Sequence, residues 1–316
     1  MAETESLEPG VPNPEYRCGT VALLGRPNVG KSTLMNRIVK AKVAIVTPKP
    51  QTTRHRILGI QTDENSQIVF VDTPGIHRGD KQLNRNMVRV AYAAAEEADV
   101  LVIMQDLTKS LDRLTSQLIT GFADGRLPQP RLHVLNKVDQ VAGKSLLPRL
   151  AEVQRLDPGA AAYIPVSARR GDQVDAFIKE IVAQLPKAPP MYAADWFTDQ
   201  SQRQLAAEYV REQVFLAMQQ EIPFQTAVEI EAFGEDENGM AIEAAILVGS
   251  ERHKPMLIGK DGARMKIIGT KARKGLEALF DCHIDLRLWC ACNLTGSTIR
   301  ADCRISVWMV DFLRHG

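Results

Sequence analysis

The sequence has no long apolar run, which excludes a membrane-spanning helix. No uninterrupted apolar stretch approaches the roughly 20 residues that cross a bilayer. The first fifteen residues are acidic and contain three prolines, unlike the basic and apolar parts of a secretory signal. We therefore expect a cytoplasmic protein whose residues 1–15 are disordered.

Cysteine is scarce, with five residues among 316. Four of them crowd together at Cys282, Cys290, Cys292 and Cys303, but without the paired CxxC spacing that is typical of a structural zinc site. Heptad repeats are also lacking, so no pattern predicts a coiled-coil oligomer. We expect a monomer.

Positive and negative charges nearly balance, giving a formal net charge of +1, but they are unevenly distributed. Residues 221–251 contain eight acidic residues and no lysine or arginine. Residues 252–274 contain eight lysines or arginines and one acidic residue, Asp261. A basic segment is often only a solvated helix face, but its confinement to one stretch favours a surface that binds a phosphate backbone.

A phosphate-binding loop is the most informative motif in the sequence. Residues 25–32 read GRPNVGKS, which matches GxxxxGK[ST], and they lie between the strand-like run Val21–Leu24 and the helix-like segment Thr33–Val39. Glycines let backbone N–H groups close around phosphate oxygens, Lys31 neutralises the outer phosphates, and the Ser32 hydroxyl reaches Mg2+. The residues predicted to contact the nucleotide here are Gly25, Asn28, Val29, Gly30, Lys31, Ser32 and Thr33.

Polar residues after two later strands indicate which base is bound. Asn136, Lys137 and Asp139 follow the apolar strand Leu132–Leu135, and a carboxylate there would accept two hydrogen bonds from N1 and the 2-amino group of guanine. Adenine lacks this pair of donors. The pair Ser167–Ala168 follows the next strand, where a backbone N–H would bind the guanine carbonyl. The alternative is that residues 136–139 form only an exposed polar turn. The pair Ser167–Ala168 would not by itself indicate a binding site.

Two further segments predict a metal site and a response to hydrolysis. Asp72 ends the run Ile68–Val71 beside the phosphate loop, where it would hold Mg2+ through water. Thr52 or Thr53 would bind the metal only when a third phosphate is present, and we favour Thr53. Loss of that phosphate would release the segment that contains Thr53 and the segment that follows Asp72. Thr73, Pro74 and Gly75 follow Asp72 and are predicted nucleotide contacts, with the Gly75 N–H facing the terminal phosphate. The predicted catalytic residues are Lys31, Thr53 and Gly75, and the predicted metal ligands are Ser32, Thr53 and Asp72.

The order of the segments predicts an α/β domain followed by a smaller one. In residues 16–186, strand-like runs alternate with helical stretches, which predicts a mostly parallel sheet with helices on both faces and a ligand at the carboxyl ends of its strands. Three prolines in five residues, 186–190, then predict a stiff linker over residues 187–200. The second domain would span residues 201–289, and residues 290–316 form an atypical tail.

The second domain reads as α-β-β-α-α-β. A helix over Ser201–Gln220, with Leu205, Tyr209, Val210, Val214 and Leu216 at helical spacing, precedes a hairpin. After the loop Gly259–Gly262 we expect a helix from Ala263, another from Thr270 to Phe280, and a last strand over His283–Trp289.

This order, with GxxG between helices, resembles a type II KH domain, an α+β fold. Small glycines would let a nucleic-acid backbone approach, and a groove using Ile258 and Ile267 would hold about four unpaired bases. A purely structural loop is the alternative. The predicted RNA-binding residues are Ile258, Gly259, Lys260, Asp261, Gly262, Arg264 and Lys266.

The strings GRPNVGKSTL, PQTTRHR, DTPG and NKVD, in this order, resemble the Era family of GTPases from about Tyr16 to Trp289. The resemblance implies a Mg2+-dependent GTPase that binds GTP and GDP, binds the 3′ end of 16S rRNA through its KH domain, and acts in assembly of the 30S ribosomal subunit. It also implies peripheral association with the inner face of the cell membrane, although the sequence shows no anchor. Relatives of this kind often recruit K+ beside the residue at Asn28, for which a turn-stabilising role is equally compatible. Ile76 occupies the place of the glutamine that positions water in small Ras-like proteins, so we expect slow intrinsic hydrolysis.

The tail after Trp289 shows neither the family pattern nor a useful periodicity. Reading permitted codons for it one base out of register, with one G restored, gives LWVRVQPDWQHDPRRLPDFGV, which has the family's ending. Our hypothesis is that residues 290–316 are a frameshift product, which DNA resequencing across the Trp289 codon tests. The alternatives are a lineage-specific tail and a metal cluster.

Two other functional classes compete with the leading one. The first is a regulatory GTPase whose partner is a protein or a membrane surface, with the basic segment binding anionic lipid. The second is an RNA-binding protein whose GTPase domain only contributes stability. The presence of Lys31, Ser32, Asp72 and Asp139 argues against the second.

Overall fold

The computed structural model describes residues 13–49, 56–73, 91–143, 146–219, 222–236, 239–294, 297–299 and 304–306. They divide into two compact units. The first contains the described residues of Met1–Val43 and Thr53–Asp199, and the second contains those of Ala44–Thr52 and Gln200–Gly316.

The first unit is built on a six-stranded sheet with helices, which confirms the predicted α/β fold. Its strands are ordered β2-β3-β1-β4-β5-β6, and all neighbours pair in parallel except β2 and β3. The elements in chain order are β1 Arg17–Gly25, α1 Lys31–Val39, β2 Ile57–Thr62, β3 Ser66–Asp72, β4 Val100–Asp106, α2 Arg113–Ala123, β5 Arg131–Asn136, α3 Leu146–Leu156, β6 Ala162–Val166 and α4 Val174–Gln184. Residues 91–96 are also helical.

The central strands are buried on both faces, which explains why they read as unbroken apolar runs. Val21, Ala22, Leu23 and Leu24 in β1 are all 0% exposed. The edge strand β2 was not among the strands predicted, since its apolar run is short.

The segment predicted as a linker packs on the edge of the first unit. The Gln67 side chain accepts hydrogen bonds from the N–H groups of Met191 and Tyr192, at 2.7 and 3.0 Å, and donates to the Tyr192 carbonyl. Farther along, the Thr198 hydroxyl donates to the Leu58 carbonyl at 2.8 Å. These contacts hold the segment along β2 and β3.

The second unit begins with the predicted α-β-β-α-α-β order of a KH domain, but of its two later helices one lies before the GxxG loop and one after it, and two short strands follow. Its elements are α5 Gln202–Ala217, β7 Thr226–Asp236, β8 Gly239–Val248, α6 His253–Ile258, α7 Ala263–Phe280, β9 Ile284–Leu294, β10 Ser297–Ile299 and β11 Arg304–Ser306. The sheet has the order β10-β9-β8-β7, with β11 also on β9, and the β8–β9 pairing is parallel.

Two predictions about its helices were wrong. The segments expected as two helices after the loop form the single helix α7, because Met265, Ile268, Ala272 and Leu276 hold it continuously against the core. Leu216, expected in the core, is 49% exposed. It lies at the end of α5, one residue before the helix stops at Ala217, beyond the buried stretch that ends at Phe215.

The prediction that the last strand ends at Trp289 was also wrong. The β9 strand continues to Leu294, and its pairing with β8 runs unbroken to the Val248–Cys292 pair. Cys290 and Cys292 alternate inward with Leu288 and are fully buried in the core, so their small apolar side chains continue the strand pattern.

Candidate functional site

The phosphate-binding loop connects β1 to α1, and its backbone conformation depends on glycine. Gly30 has φ of +105°, and a Cβ there would lie 2.1 Å from the Asn136 amide nitrogen. The loop therefore closes tightly against the end of β5. Gly25, with φ of +146°, and Asn28, with φ of 61°, complete the turn.

Lys31 lies at the start of α1 and is buried beneath this loop. Its ammonium donates to the carbonyl oxygens of Gly25 and Arg26, at 3.3 and 3.4 Å. Burial lowers the pKa of Lys31, while the nearby Asp72 carboxylate acts in the opposite sense. A buried cation of this kind offers strong attraction to an anion that replaces its present carbonyl contacts.

The two predicted metal ligands that the structure describes meet at one point. The Ser32 hydroxyl donates to the Asp72 carboxylate at 2.6 Å. Asp72 is fully buried at the carboxyl end of β3, next to β1 in the sheet. A hydroxyl and a carboxylate in contact are the hard oxygen donors that Mg2+ prefers, so this pair fits the metal.

Thr73 holds the chain as it leaves β3. Its hydroxyl donates to the Leu23 carbonyl of β1 at 2.9 Å, and the residue is 3% exposed. Thr53, Pro74 and Gly75 lie outside the described residues, so their predicted roles in the metal shell and at the terminal phosphate stay predictions.

The predicted base-binding residues converge at the carboxyl ends of β5 and β6. The Ser167 hydroxyl donates to the Asp139 carboxylate at 2.7 Å, and this hydrogen bond is the main reason that the pKa of Asp139 lies below its usual value. Asp139 therefore stays ionised, as an acceptor for two guanine donors must.

Asn136 joins the base-binding residues to the phosphate loop. Its amide nitrogen donates to the Val29 carbonyl at 2.7 Å, and its amide oxygen accepts from the Ala168 N–H at 2.9 Å.

Lys137 has φ of 71°, and its ammonium donates to Asp106 at 2.7 Å. Asp106 was not among the predicted site residues. Its position at the end of β4 was the signal that could have found it, since Asp72 ends β3 in the same way.

The GxxG loop lies between α6 and α7 and also depends on its glycines. Gly259 has φ of 77° and ψ of 177°, and Gly262 has φ of 73°. These are conformations that glycine adopts readily and other residues do not. The Arg264 guanidinium donates to the Met256 carbonyl and so ties the start of α7 to α6.

A basic and apolar surface surrounds this loop. Ile267 is 52% and Met256 is 47% exposed, while Ile258 is partly buried. Of these apolar residues, Met256 was not predicted from the sequence. The exposed basic residues of segment 252–274 are Arg252, Lys260, Arg264, Lys266, Lys271 and Lys274. Exposed apolar side chains bordered by cations suit a ligand with stacked bases and a phosphate backbone.

Within the part of the chain that the structure describes, no helix is long and apolar enough to cross a membrane. The same residues contain no group of three or more His, Cys, Asp or Glu side chains arranged to hold a metal ion.

Two family models match the chain. A model described as a 50S ribosome-binding GTPase matches residues 20–137, and a KH domain model matches residues 221–292.

Curated relatives match most of the chain. GTPase Era of Pseudomonas fluorescens (strain Pf0-1) is 44% identical over 86% of this chain and 90% of its own length. GTPase Era of Nitratidesulfovibrio vulgaris is 43% identical over 87% of this chain and 92% of its own.

Two solved structures are similar in fold. Aquifex aeolicus Era, in a variant bound to GDP and AlF4−, has a TM-score of 0.82 and 36% identity, covering 88% of this chain and 95% of that one. Era in complex with MgGDPNP and nucleotides 1506–1542 of 16S ribosomal RNA has the same score and identity, covering 89% and 95%.

Proposed function

The chain belongs to the Era family of GTPases, and from this we propose that it is a nucleotide-dependent switch in assembly of the 30S ribosomal subunit. It hydrolyses GTP to GDP and phosphate with Mg2+, and it binds the 3′ end of 16S rRNA through its KH domain. The observation that carries the proposal is that the residues expected to bind a guanine nucleotide meet at the carboxyl ends of the strands of the first sheet. In the same chain, the second unit exposes basic residues around a GxxG loop.

The chain's own residues bind and orient the nucleotide. Lys31 would exchange its carbonyl contacts for the outer phosphates, and Ser32 and Asp72 would hold the metal. Bound Mg2+ supplies positive charge that stabilises the phosphates during transfer. From the sequence, we assign the Gly75 N–H to the terminal phosphate and Thr53 to the metal when that phosphate is present.

Catalysis rests on positioning and charge neutralisation, because Ile76 cannot orient the attacking water. Intrinsic hydrolysis is therefore slow. Asn28 is a ligand of K+ or stabilises the turn of the loop, and hydrolysis by wild type and Asn28→Ala in KCl and in NaCl separates these roles. Loss of the K+ stimulation in the variant supports the ligand, whereas equal stimulation supports the turn.

The chain path supports coupling between nucleotide and RNA. Residues 44–49 pack within the second unit: the Val46 N–H donates to the Glu212 carboxylate at 3.0 Å, and the Lys49 ammonium donates to the carbonyls of Phe215 and Met218. Thr53 follows Lys49 by only four residues. A change at Thr53 on loss of the third phosphate therefore reaches the RNA-binding unit along the chain.

The proposal is tested by binding of a short single-stranded RNA that matches the 3′ end of 16S rRNA, with a GTP analogue, GDP or no nucleotide, at two salt concentrations. We expect tight binding that depends on the nucleotide and weakens with salt. Absence of RNA binding in every state contradicts it, and binding to anionic vesicles that RNA does not compete away would favour the membrane-surface alternative. We propose that the protein acts as a monomer in the cytoplasm, with peripheral association at the inner face of the cell membrane as a further prediction.

A further inference from the structure

Arg37 lies on α1, the helix that begins with Lys31, but it contacts a different part of the first unit. Its Nε donates to the Ala168 carbonyl at 2.6 Å, and its Nη2 donates to the Arg169 carbonyl. A single guanidinium therefore holds two successive carbonyls of the loop that follows β6. The sequence analysis did not single out this residue.

Several other N–H groups of the loop already have acceptors. The Gly171 N–H donates to the Ser167 carbonyl at 2.7 Å, and the Arg170 N–H donates to the Ser167 hydroxyl at 3.0 Å. The Ala168 N–H donates to the Asn136 amide at 2.9 Å. Gly171 has φ of +97°, and a Cβ there would lie 3.0 Å from the Arg37 guanidinium, so the loop and the arginine pack closely.

Among the described residues, three N–H groups of the loop have no hydrogen-bond acceptor, those of Arg169, Asp172 and Gln173. Of these three, only the Arg169 N–H shares its peptide group with a carbonyl that Arg37 holds. The Ala168 carbonyl and the Arg169 N–H belong to the same peptide group, and no cis peptide occurs in the described part of the chain. In a trans peptide these two groups point to opposite sides. By holding the carbonyl on the α1 side, Arg37 turns the Arg169 N–H away from that helix.

We propose that Arg37 is a positioning residue for guanine recognition, which aims the Arg169 N–H at the 6-carbonyl oxygen of the base. The inference rests on the proposed function, since it requires that guanine occupies the site formed by Asp139 and the loop after β6. It assigns the two edges of the base to different parts of the protein. Asp139 reads the 2-amino side, whereas the loop that Arg37 holds reads the 6-carbonyl side.

This division makes the role of Arg37 separable from a general effect on folding. The full-length protein and its Arg37→Ala variant are titrated with GDP, with inosine diphosphate, which lacks the 2-amino group, and with 6-thioguanosine diphosphate. The last keeps N1–H and the 2-amino group but replaces the 6-carbonyl oxygen by sulfur, a weak hydrogen-bond acceptor. In the wild type we expect loss of the hydrogen bond at either edge to weaken binding about tenfold, which corresponds to about 1.4 kcal/mol. In the variant, the preference for GDP over the 6-thio nucleotide falls to about one, while the preference over inosine diphosphate is retained.

Two further variants serve as references. Arg37→Lys keeps a single charged donor and should retain part of the 6-carbonyl preference, because a lysine cannot hold both carbonyls in a fixed plane. Lys40→Ala, which removes an exposed cation three residues along the chain, should bind all three nucleotides as the wild type does.

The outcomes distinguish this inference from the function on which it rests. A wild-type protein that shows no preference for GDP over either analogue contradicts the proposed guanine site itself. If the wild type discriminates and Arg37→Ala keeps both preferences, or loses both together, the positioning role is overturned.

Discussion

The Asn136 amide nitrogen donates to the Val29 carbonyl at 2.7 Å, and through this contact a residue at the end of β5 holds the middle of the phosphate loop. The amide oxygen of the same side chain accepts from the Ala168 N–H. Asn136 is 2% exposed, so neither bond is readily replaced by water.

Asn136→Ala should therefore weaken binding of GDP and of a GTP analogue together. Loss of two hydrogen bonds at about 1 kcal/mol each gives a total of about 2 kcal/mol, or about 30-fold in Kd. Fluorescent nucleotide titration measures this. Asn65→Ala, in an exposed turn of the same unit, is the control, and an unchanged Kd in Asn136→Ala would show that the two loops keep their geometry without this residue.

The site residues that could be predicted from the sequence are those that belong to a short local motif. Ser32 follows a glycine-rich loop and Asp72 ends an apolar strand, so each was found from its immediate neighbours. Arg37 was not, because its role depends on a partner 131 residues away in the sequence. No local pattern distinguishes such an arginine from an ordinary helix-surface residue.

For the fold as well, features that depend on neighbouring residues could be predicted, whereas contacts between residues far apart in the sequence could not. The strand runs and the order of the KH elements follow from periodicity, and both were predicted. The burial of Glu212 on α5, at 3% exposure, was not, because it accepts a hydrogen bond from Val46, 166 residues earlier in the chain.

A buried ionic cluster contributes to the stability of the first unit. Asp157 accepts hydrogen bonds from Arg131 and contacts the His133 imidazole at 2.9 Å, and Asp157 and His133 are both almost fully buried. Burial acts to raise the pKa of Asp157, but the hydrogen bonds and charge of its partners outweigh it and hold that pKa well below the usual value. Asp157→Asn should lower the free energy of unfolding at pH 7 by about 3 kcal/mol, because it leaves Arg131 without its counter-charge.

The pH dependence of this loss has a definite sign. A carboxylate with a lowered pKa in the folded state stabilises above its unfolded pKa of about 4, and that contribution disappears as the pH falls through the folded value. Denaturant unfolding should show a constant difference between wild type and Asp157→Asn from pH 8 to about 5, and a smaller one below about pH 4. Asp124→Asn, on an exposed ion pair, is the control; a difference that grows with acidity contradicts the assignment.

The GxxG loop gives a direct test of the RNA surface. Replacing Gly259 and Gly262 together by aspartate should abolish binding of the 16S rRNA fragment, because it adds two negative charges and bulk where the backbone must approach. GDP affinity should remain within about twofold of wild type, since neither glycine belongs to the first unit.

Strain must be separated from recognition in this variant, because both glycines have positive φ and a Cβ on Gly259 would lie 2.9 Å from the Arg264 Cβ. Lys260→Ala avoids that strain and should weaken RNA binding. It should also reduce the slope of log K against log salt concentration by about one, because one phosphate contact is lost. Gly234→Asp, at a position with no atoms within 4 Å of an added Cβ, is the matched control. RNA binding that survives both loop changes would place the RNA site elsewhere.

Lys49 links the chain before Thr53 to the end of α5, and its removal should affect both stability and coupling. Its ammonium donates to the Phe215 and Met218 carbonyls, two of the groups that a helix leaves unsatisfied at its C-terminus. Lys49→Met keeps the apolar stem but removes the charge, so it should destabilise the second unit by about 1–2 kcal/mol in thermal unfolding. It should also reduce the effect of the GTP analogue on RNA affinity, because residues 44–49 then hold less firmly to the unit that binds RNA. Lys40→Met is the control for both measurements. A variant that loses stability but keeps the full nucleotide effect on RNA affinity would show that the signal does not travel through this segment.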